Sequence, residues 1–273
     1  AHLRELAPQL AALPRAELLT PLDRLAAMWA PGAPHFKAVT DPLNELFGQK
    51  SPYSLAALER ALASLSAGMR ADVLTAELQR ELGRADLLEK WEPDAFGAGF
   101  VKGVPCGVVT HVLAGNVFLG GVVAIAQSLL TRNPCVLKLS GDDSGFTDRF
   151  VESLREADPA GIVSRSVNVT SWSSSHEEMN EIVRAESDAV VVWGGAAAMA
   201  AYPQEKCKGR VIDYGPRLGV GIVLDGTNLD AALPALAWDV ALWEQRACSS
   251  PRVLFVEDAD GSGTLPRTVG ERL

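Results

Sequence analysis

A chain of 273 residues with 25 Lys and Arg against 34 Asp and Glu carries a formal charge of −9, and 48% of it is hydrophobic. That apolar content offsets the ordering entropy of a core and excludes intrinsic disorder, while the acidic balance excludes a nucleic-acid binder that tracks phosphates with a basic stripe. At roughly 150 residues per domain the length implies one large or two small domains.

Residues 1–95 are rich in Ala and Leu and read as helical. Joints at Pro31-Gly32-Ala33-Pro34 and Asp41-Pro42 separate the early helices. Ser51-Pro52 reads as an N-cap with Pro at the first helical position, after which Leu55, Leu58, Leu62, Leu65 and Met69 form one apolar face; Leu74, Leu78 and Leu82 continue it to Gly83. The pattern then alternates. Strands are predicted at Val108–Leu113, Cys135–Leu139, Val163–Val169 and Ala189–Trp193, with helices at Phe118–Leu130, Phe146–Arg155 and His176–Arg184 between them. Strands separated by single helices cannot pair as hairpins, so a Rossmann-type parallel sheet with helices on both faces is expected over 96–213. Residues 214–273 begin a further unit: strand Val220–Leu224, a helix from Leu229 to Trp243, and strand Val253–Val256.

No Lys, Arg, Asp or Glu occurs from Gly103 to Thr131, longer than the roughly 20 residues that cross a bilayer. Its glycines, Pro105, His111, Asn116 and Gln127 break it into a buried strand, a turn and a buried helix, so no membrane span is expected. Cys106, Cys135, Cys207 and Cys248 lie far apart, as in a cytoplasmic protein with reduced thiols. Gly97-Ala98-Gly99 lacks the third glycine of a dinucleotide fingerprint, and His176-Glu177-Glu178-Met179-Asn180 lacks the second His of a zinc helix, so no metal is expected. The absence of an initiator Met and a last segment that reads as a helix opening suggest a fragment.

Three segments carry chemistry. The strand from Pro105 ends in a small-residue turn that presents Asn116; Cys135–Gly141 places Lys138 near the carboxyl end of an apolar strand; Glu244–Pro251, E-Q-R-A-C-S-S-P, holds Cys248 before a proline-stopped loop. Together with Val190–Gly195 and Ile212–Arg217 they resemble the acyl-CoA reductases of the luciferase-associated LuxC family, a branch of the aldehyde dehydrogenase superfamily. The resemblance runs from about Phe100 to Val256 and implies an aldehyde-dehydrogenase-like α/β fold with a helical N-terminal region and an incomplete catalytic domain.

It also implies roles. Cys248 matches the nucleophile that takes the acyl group from a thioester, and Asn116 the oxyanion-hole amide; the competing readings are a buried structural cysteine and a helix N-cap. Lys138 and Ser140 match the adenosine-ribose site, against a snorkelling surface lysine. Gly141 stands where NAD-using relatives carry a ribose-gripping glutamate, which favours NADPH. Gly194 and Gly195 match the pyrophosphate or nicotinamide side. Hydrolytic relatives use a glutamate in a segment that here reads Asp213-Tyr214-Gly215-Pro216, so either Asp213 or Tyr214 holds the general-base position and the glutamate is absent. The implied activity is NADPH-dependent reduction of a fatty acyl thioester to an aldehyde, the alternatives being an oxidative aldehyde dehydrogenase or a non-catalytic nucleotide- or acyl-binding fragment. Acyl-CoA or another acyl thioester is the implied donor, with an acyl-transferring enzyme and a second copy of the chain as further partners.

Overall fold

The computed structural model describes residues 2–41, 52–141 and 145–273. Five helices come first: α1 (His2–Ala12), α2 (Arg15–Met28), α3 (Pro34–Thr40), α4 (Leu55–Gly68) and α5 (Ala71–Leu82). The predicted cap at Ser51 and joint residue Pro42 lie outside the described residues. Ser54 caps α4 instead, its hydroxyl accepting from the Ala57 N–H at 3.3 Å, and Leu55 is thereby left exposed while Leu58, Leu62, Leu65 and Met69 are buried. Trp29, fully buried, donates its indole N–H to Ser153 Oγ at 2.8 Å. That bond fastens the helical front end to the sheet layer, and one continuous core runs from Leu10 through Leu62 to Val191.

A short hairpin, β1 (Glu92–Pro93) and β2 (Phe100–Val101), leads into the sheet. Its strands are β3 (Val109–Val112), β4 (Cys135–Leu139), β5 (Val167–Ser171), β6 (Ala189–Trp193) and β7 (Arg210–Tyr214), in the order β5-β4-β3-β6-β7 with every neighbouring pair parallel. Helices α6 (Gly120–Leu130) and α7 (Phe146–Ala157) pack on one face. On the other face, α9 (Glu177–Glu186) and α10 (Ala196–Ala201) bury Val112, Val190 and Val192 beneath Val183 and Met199. The chain winds outward from β3 through β5 and then returns beside β3 as β6. The loops after β3 and β6 therefore leave adjacent carboxyl ends, the switch point at which open parallel sheets bind ligands.

Gly107, at φ 116°, begins this region, and a Cβ there would come within 2.3 Å of Asp188 Oδ2. That carboxylate accepts the Val108 N–H at 2.8 Å, so only glycine lets β3 start against β6.

Two predicted elements differ. The run Val163–Val169 is split: Ile162–Arg165 forms a short helix, α8, and the strand begins at Val167. The β-branched residues imitate one strand, but Asp158 Oδ2 accepts the Ser164 N–H at 2.7 Å and closes a helical turn first. The helix predicted to reach Trp243, α11 (Leu229–Ala241), stops two residues earlier. It packs with α12 (Thr264–Arg272) against a separate two-stranded parallel sheet, β8 (Gly219–Val223) with β9 (Pro251–Val256), burying Val223, Leu233 and Val269. No helix among the described residues is long and apolar enough to cross a membrane.

Candidate active site

Cys248 is exposed and lies in a turn between α11 and β9, not at a helix end. Glu244 and Gln245 reverse the chain through consecutive left-handed conformations, φ 48° and 59°, which non-glycine residues adopt only when their surroundings hold them. Gln245 supplies part of that hold: its side-chain N–H groups reach Val240 O at 2.6 Å and Pro251 O at 3.3 Å, and its own carbonyl accepts from Arg252 at 2.9 Å. Ala247 and Ser250 are buried on either side of the thiol. Gly219 passes so close beneath that a Cβ would stand 2.5 Å from Ser250 O. These contacts brace the loop that carries the exposed cysteine.

Exposure alone does not single out Cys248, because Cys106, expected to lie against an apolar strand, is also exposed. Their settings differ. The Cys106 thiol donates to Asn133 Oδ1 at 3.4 Å and its partial burial raises it above the ordinary thiol range, while Cys135 is buried and pushed up to about 12 by desolvation. Cys207 is buried as well. Neutral thiols are poor nucleophiles.

The structure brings Asn116 to the cysteine loop. Its side-chain N–H donates to Arg246 O, two residues before Cys248, at 2.7 Å. Asn116 does not cap the following helix, whose N-cap is Leu119, so the capping interpretation is corrected. An amide carries two N–H donors. The bond to Arg246 uses one and fixes the plane of the group, leaving the second without a partner among the described residues.

Tyr53 was not visible to sequence reasoning. Its hydroxyl donates to Asn116 O at 2.5 Å, and its ring packs against Phe118 and Trp243 with centroids 5.4 and 6.1 Å away. The next residue, Ser54, donates its backbone N–H to Glu244 Oε1 at 3.2 Å.

Lys138, at the carboxyl end of β4, is 8% exposed, so the surface-lysine interpretation is also corrected. Its ammonium lies 5.7 Å from the centre of the Trp172 ring, and burial lowers it below the usual lysine range. Ser140 is half-buried just beyond the strand, and Gly141 is exposed with open space around it. Gly194 and Gly195 occupy the loop after β6, across the switch point from Asn116. Gly195 is the N-cap of α10.

Asp213 and Tyr214 end β7 and, as successive strand residues, face opposite sides of the sheet. Tyr214 stacks on Trp193 at 4.3 Å. The Trp193 indole N–H donates to His111 Nδ1 at 3.2 Å, and His111 Nε2 shares a 2.7 Å bond with Ser128 Oγ. Burial depresses His111 to about 4, so it is neutral at pH 7 and accepts the indole proton. Asp213 is exposed and makes no ion pair among the described residues. Two clefts of about 530 and 640 Å³ flank the sheet, and neither is lined by Cys248 or Asn116. Among the described residues no group of three or more His, Cys, Asp or Glu is placed to hold a metal ion.

Set against known families, the chain matches the model of the acyl-CoA reductases (LuxC) over residues 10–268. It belongs to that family. Among curated relatives it is 30% identical to long-chain acyl-protein thioester reductase 2 of Photobacterium leiognathi and 31% identical to the long-chain acyl-protein thioester reductase of Vibrio harveyi, in each case over 65% of this chain and 37% of the relative. The chain thus spans little more than a third of the length of these relatives. Its fold is that of the aldehyde dehydrogenases. Lactaldehyde dehydrogenase from Escherichia coli superposes with a TM-score of 0.70 at 18% identity, over 98% of this chain and 53% of that one. The glyceraldehyde-3-phosphate dehydrogenase GapN from Methanocaldococcus jannaschii, complexed with NADP, gives 0.72 at 15% identity, over 99% and 56%.

Proposed function

We propose that this chain carries the acyl-transfer and nucleotide-binding parts of an NADPH-dependent acyl-CoA reductase that makes a fatty aldehyde in the cytoplasm. The observation that carries the proposal is the 2.7 Å bond from the Asn116 amide to Arg246 O, which sets an oxyanion donor beside the loop of an exposed cysteine. The division of labour follows the chain: 1–95 as the helical front, 96–213 as the nucleotide-binding unit and 214–273 as the start of the catalytic unit.

The Cys248 thiolate adds to the thioester carbonyl carbon, and the oxygen takes up the negative charge. The second Asn116 N–H and the Cys248 backbone N–H are suited to stabilise that charge. When the carbonyl re-forms, the C–S bond to CoA breaks; the thiolate of CoA leaves, is protonated by solvent, and the acyl group stays on Cys248. The chemistry that a nicotinamide would supply, if bound beside Lys138 and Gly194, is the hydride needed to take the acyl group on Cys248 to an aldehyde and release the thiolate. With no glutamate at the Asp213-Tyr214 position, and Tyr214 held in a stack against Trp193, water activation is disfavoured and the acyl-enzyme waits. An acyl-transferring partner enzyme would fit a donor other than free acyl-CoA, and the chain pairing with a second copy would fit its fold.

The residues present suit NADPH. A buried ammonium at the carboxyl end of β4 and an adjacent hydroxyl, Ser140, are an anion-binding pair, and Gly141 leaves space and no carboxylate to repel a 2′-phosphate. Gly194 and Gly195 would lie along the pyrophosphate or nicotinamide side. Lys138→Ala should weaken NADPH binding about ten- to a hundred-fold and NADH binding less, from the roughly 1.5–3 kcal/mol of a charge-assisted contact to the phosphate. Fluorescence titration with both nucleotides measures this. Equal loss for the two, or tighter NADH binding by the parent chain, refutes the phosphate assignment.

The experiment that tests the whole proposal is mass spectrometry after exposure to acyl-CoA. A hydroxylamine-sensitive adduct should appear on the Cys248 peptide and be absent from Cys248→Ala. Adding NADPH should release it as aldehyde. An adduct on Cys106, Cys135 or Cys207 that survives the substitution ends the proposal, and spontaneous release of free acid favours the oxidative dehydrogenase.

A further inference from the structure

Tyr53 touches both halves of the site, although it lies 63 residues before Asn116 and 190 before Trp243 in the chain. Its backbone is fixed from behind. Ser54, the next residue, caps α4, and α4 buries Leu58, Ala61, Leu62 and Leu65 in the main core. Tyr53 therefore projects from the start of an anchored helix, in the position where a residue before the cap packs forward and sets the entry angle of the chain. Its hydroxyl reaches the backbone carbonyl of Asn116, its ring lies between Phe118 and Trp243, and the Ser54 N–H holds the Glu244 carboxylate. Phe118 and Trp243 also meet directly at 6.0 Å, so the three rings close a triangle.

We infer that Tyr53 is a positioning residue for acyl transfer, holding the Asn116 loop and the Cys248 loop in register so that the amide and the thiol address one carbonyl group. This rests on the assignment of Cys248 and Asn116 made above. The hydroxyl fixes Asn116 at its carbonyl and so does not compete for the second N–H of the side-chain amide, which would serve the substrate. Burial holds the phenol above its ordinary range, against the opposing influence of Arg246, so it remains a protonated donor at neutral pH. The ring holds Trp243, and Trp243 begins the turn whose next two residues, Glu244 and Gln245, are left-handed. A strained reversal needs such a contact to persist.

Tyr53→Phe keeps the ring and removes only the hydroxyl. In single-turnover acylation by acyl-CoA, the rate of acyl transfer to Cys248 at saturation should fall about three- to ten-fold, the effect of one hydrogen bond on a barrier. The acyl-CoA concentration giving half the maximal rate should not change. Alkylation of Cys248 by iodoacetamide, a displacement that builds no oxyanion, should proceed at the parent rate. A residue that merely stabilised the fold would alter both reactions or neither. In an Asn116→Ala background, Tyr53→Phe should have no further effect, because the hydroxyl acts through that loop. Transfer at the parent rate, equal slowing of alkylation, or a full additional loss in the Asn116→Ala background each overturns the inference while leaving Cys248 as nucleophile. If the parent chain forms no Cys248 adduct, the nucleophile assignment itself fails and the role of Tyr53 fails with it.

Discussion

Asn116→Ala should lower the rate of acyl transfer from acyl-CoA to Cys248 by about 100- to 1,000-fold, the usual consequence of removing one oxyanion donor, if the proposed roles of the two residues hold. The substitution removes no buried apolar surface, since Asn116 is exposed, and it leaves Arg246 O accessible to water, so the fold should be little affected. The loss should fall on the chemical step. Asn116→Asp places an acceptor, and a negative charge, where a donor is needed, and should be at least as slow as the alanine variant. Single-turnover acylation followed by mass spectrometry measures both, with iodoacetamide alkylation as the control for an intact thiol. A loss confined to the three- to ten-fold expected of an ordinary hydrogen bond would show that the amide only ties the loops together and does not stabilise charge.

The parallel sheet was legible because strands buried on both faces are mainly apolar. Ala189–Trp193 is apolar throughout, whereas Thr110 and His111 interrupt Val109–Val112 and Lys138 interrupts Cys135–Leu139. The same logic misplaced β5, since Ile162 and Val163 are as β-branched as Val167 and Val169, and it is the Asp158 side chain, with Gly161 in the left-handed region, that starts a helix there. Lys138 and Cys248 could be singled out as residues that their strand or loop did not require. The structure adds that Lys138 is buried and Cys248 outward-facing, properties no local pattern encodes. Tyr53 and the Trp193–His111–Ser128 chain stayed hidden for another reason. Their partners are distant in sequence and each residue alone reads as ordinary core.

Arg132 was also hidden, and its loss should lower stability strongly. It ends α6 in the left-handed region at φ 60°, with its N–H bonded to Leu129 O at 2.9 Å and that of Asn133 to Ser128 O at 2.8 Å, the paired bonds of a Schellman terminus usually built on glycine. Its guanidinium, 4% exposed, turns back under the front helices to the carbonyls of Ala11 and Leu13 and to Glu89 Oε1 at 2.9 Å. One side chain thus joins the α6–β4 connection to the end of α1 and the start of α2. Breaking a fully buried ion pair costs about 3–5 kcal/mol. Glu89 is partly exposed and keeps the Arg15 N–H at 2.6 Å, so the carboxylate is not abandoned and the cost of Arg132→Ala should be about 3 kcal/mol, most of it from the stranded carbonyls. At about 2–4 °C per kcal/mol for a chain of this size, Tm should fall by about 10 °C. Arg132→Gly loses the same contacts but relieves the left-handed strain, so it should be about 1 kcal/mol less damaging than alanine. Thermal denaturation of the two variants beside the parent decides the matter. Alanine equal to or better than glycine would mean that the backbone here carries no strain, and a shift of only 1–2 °C for both would mean that water replaces the guanidinium and the front helices are held by their apolar contacts alone.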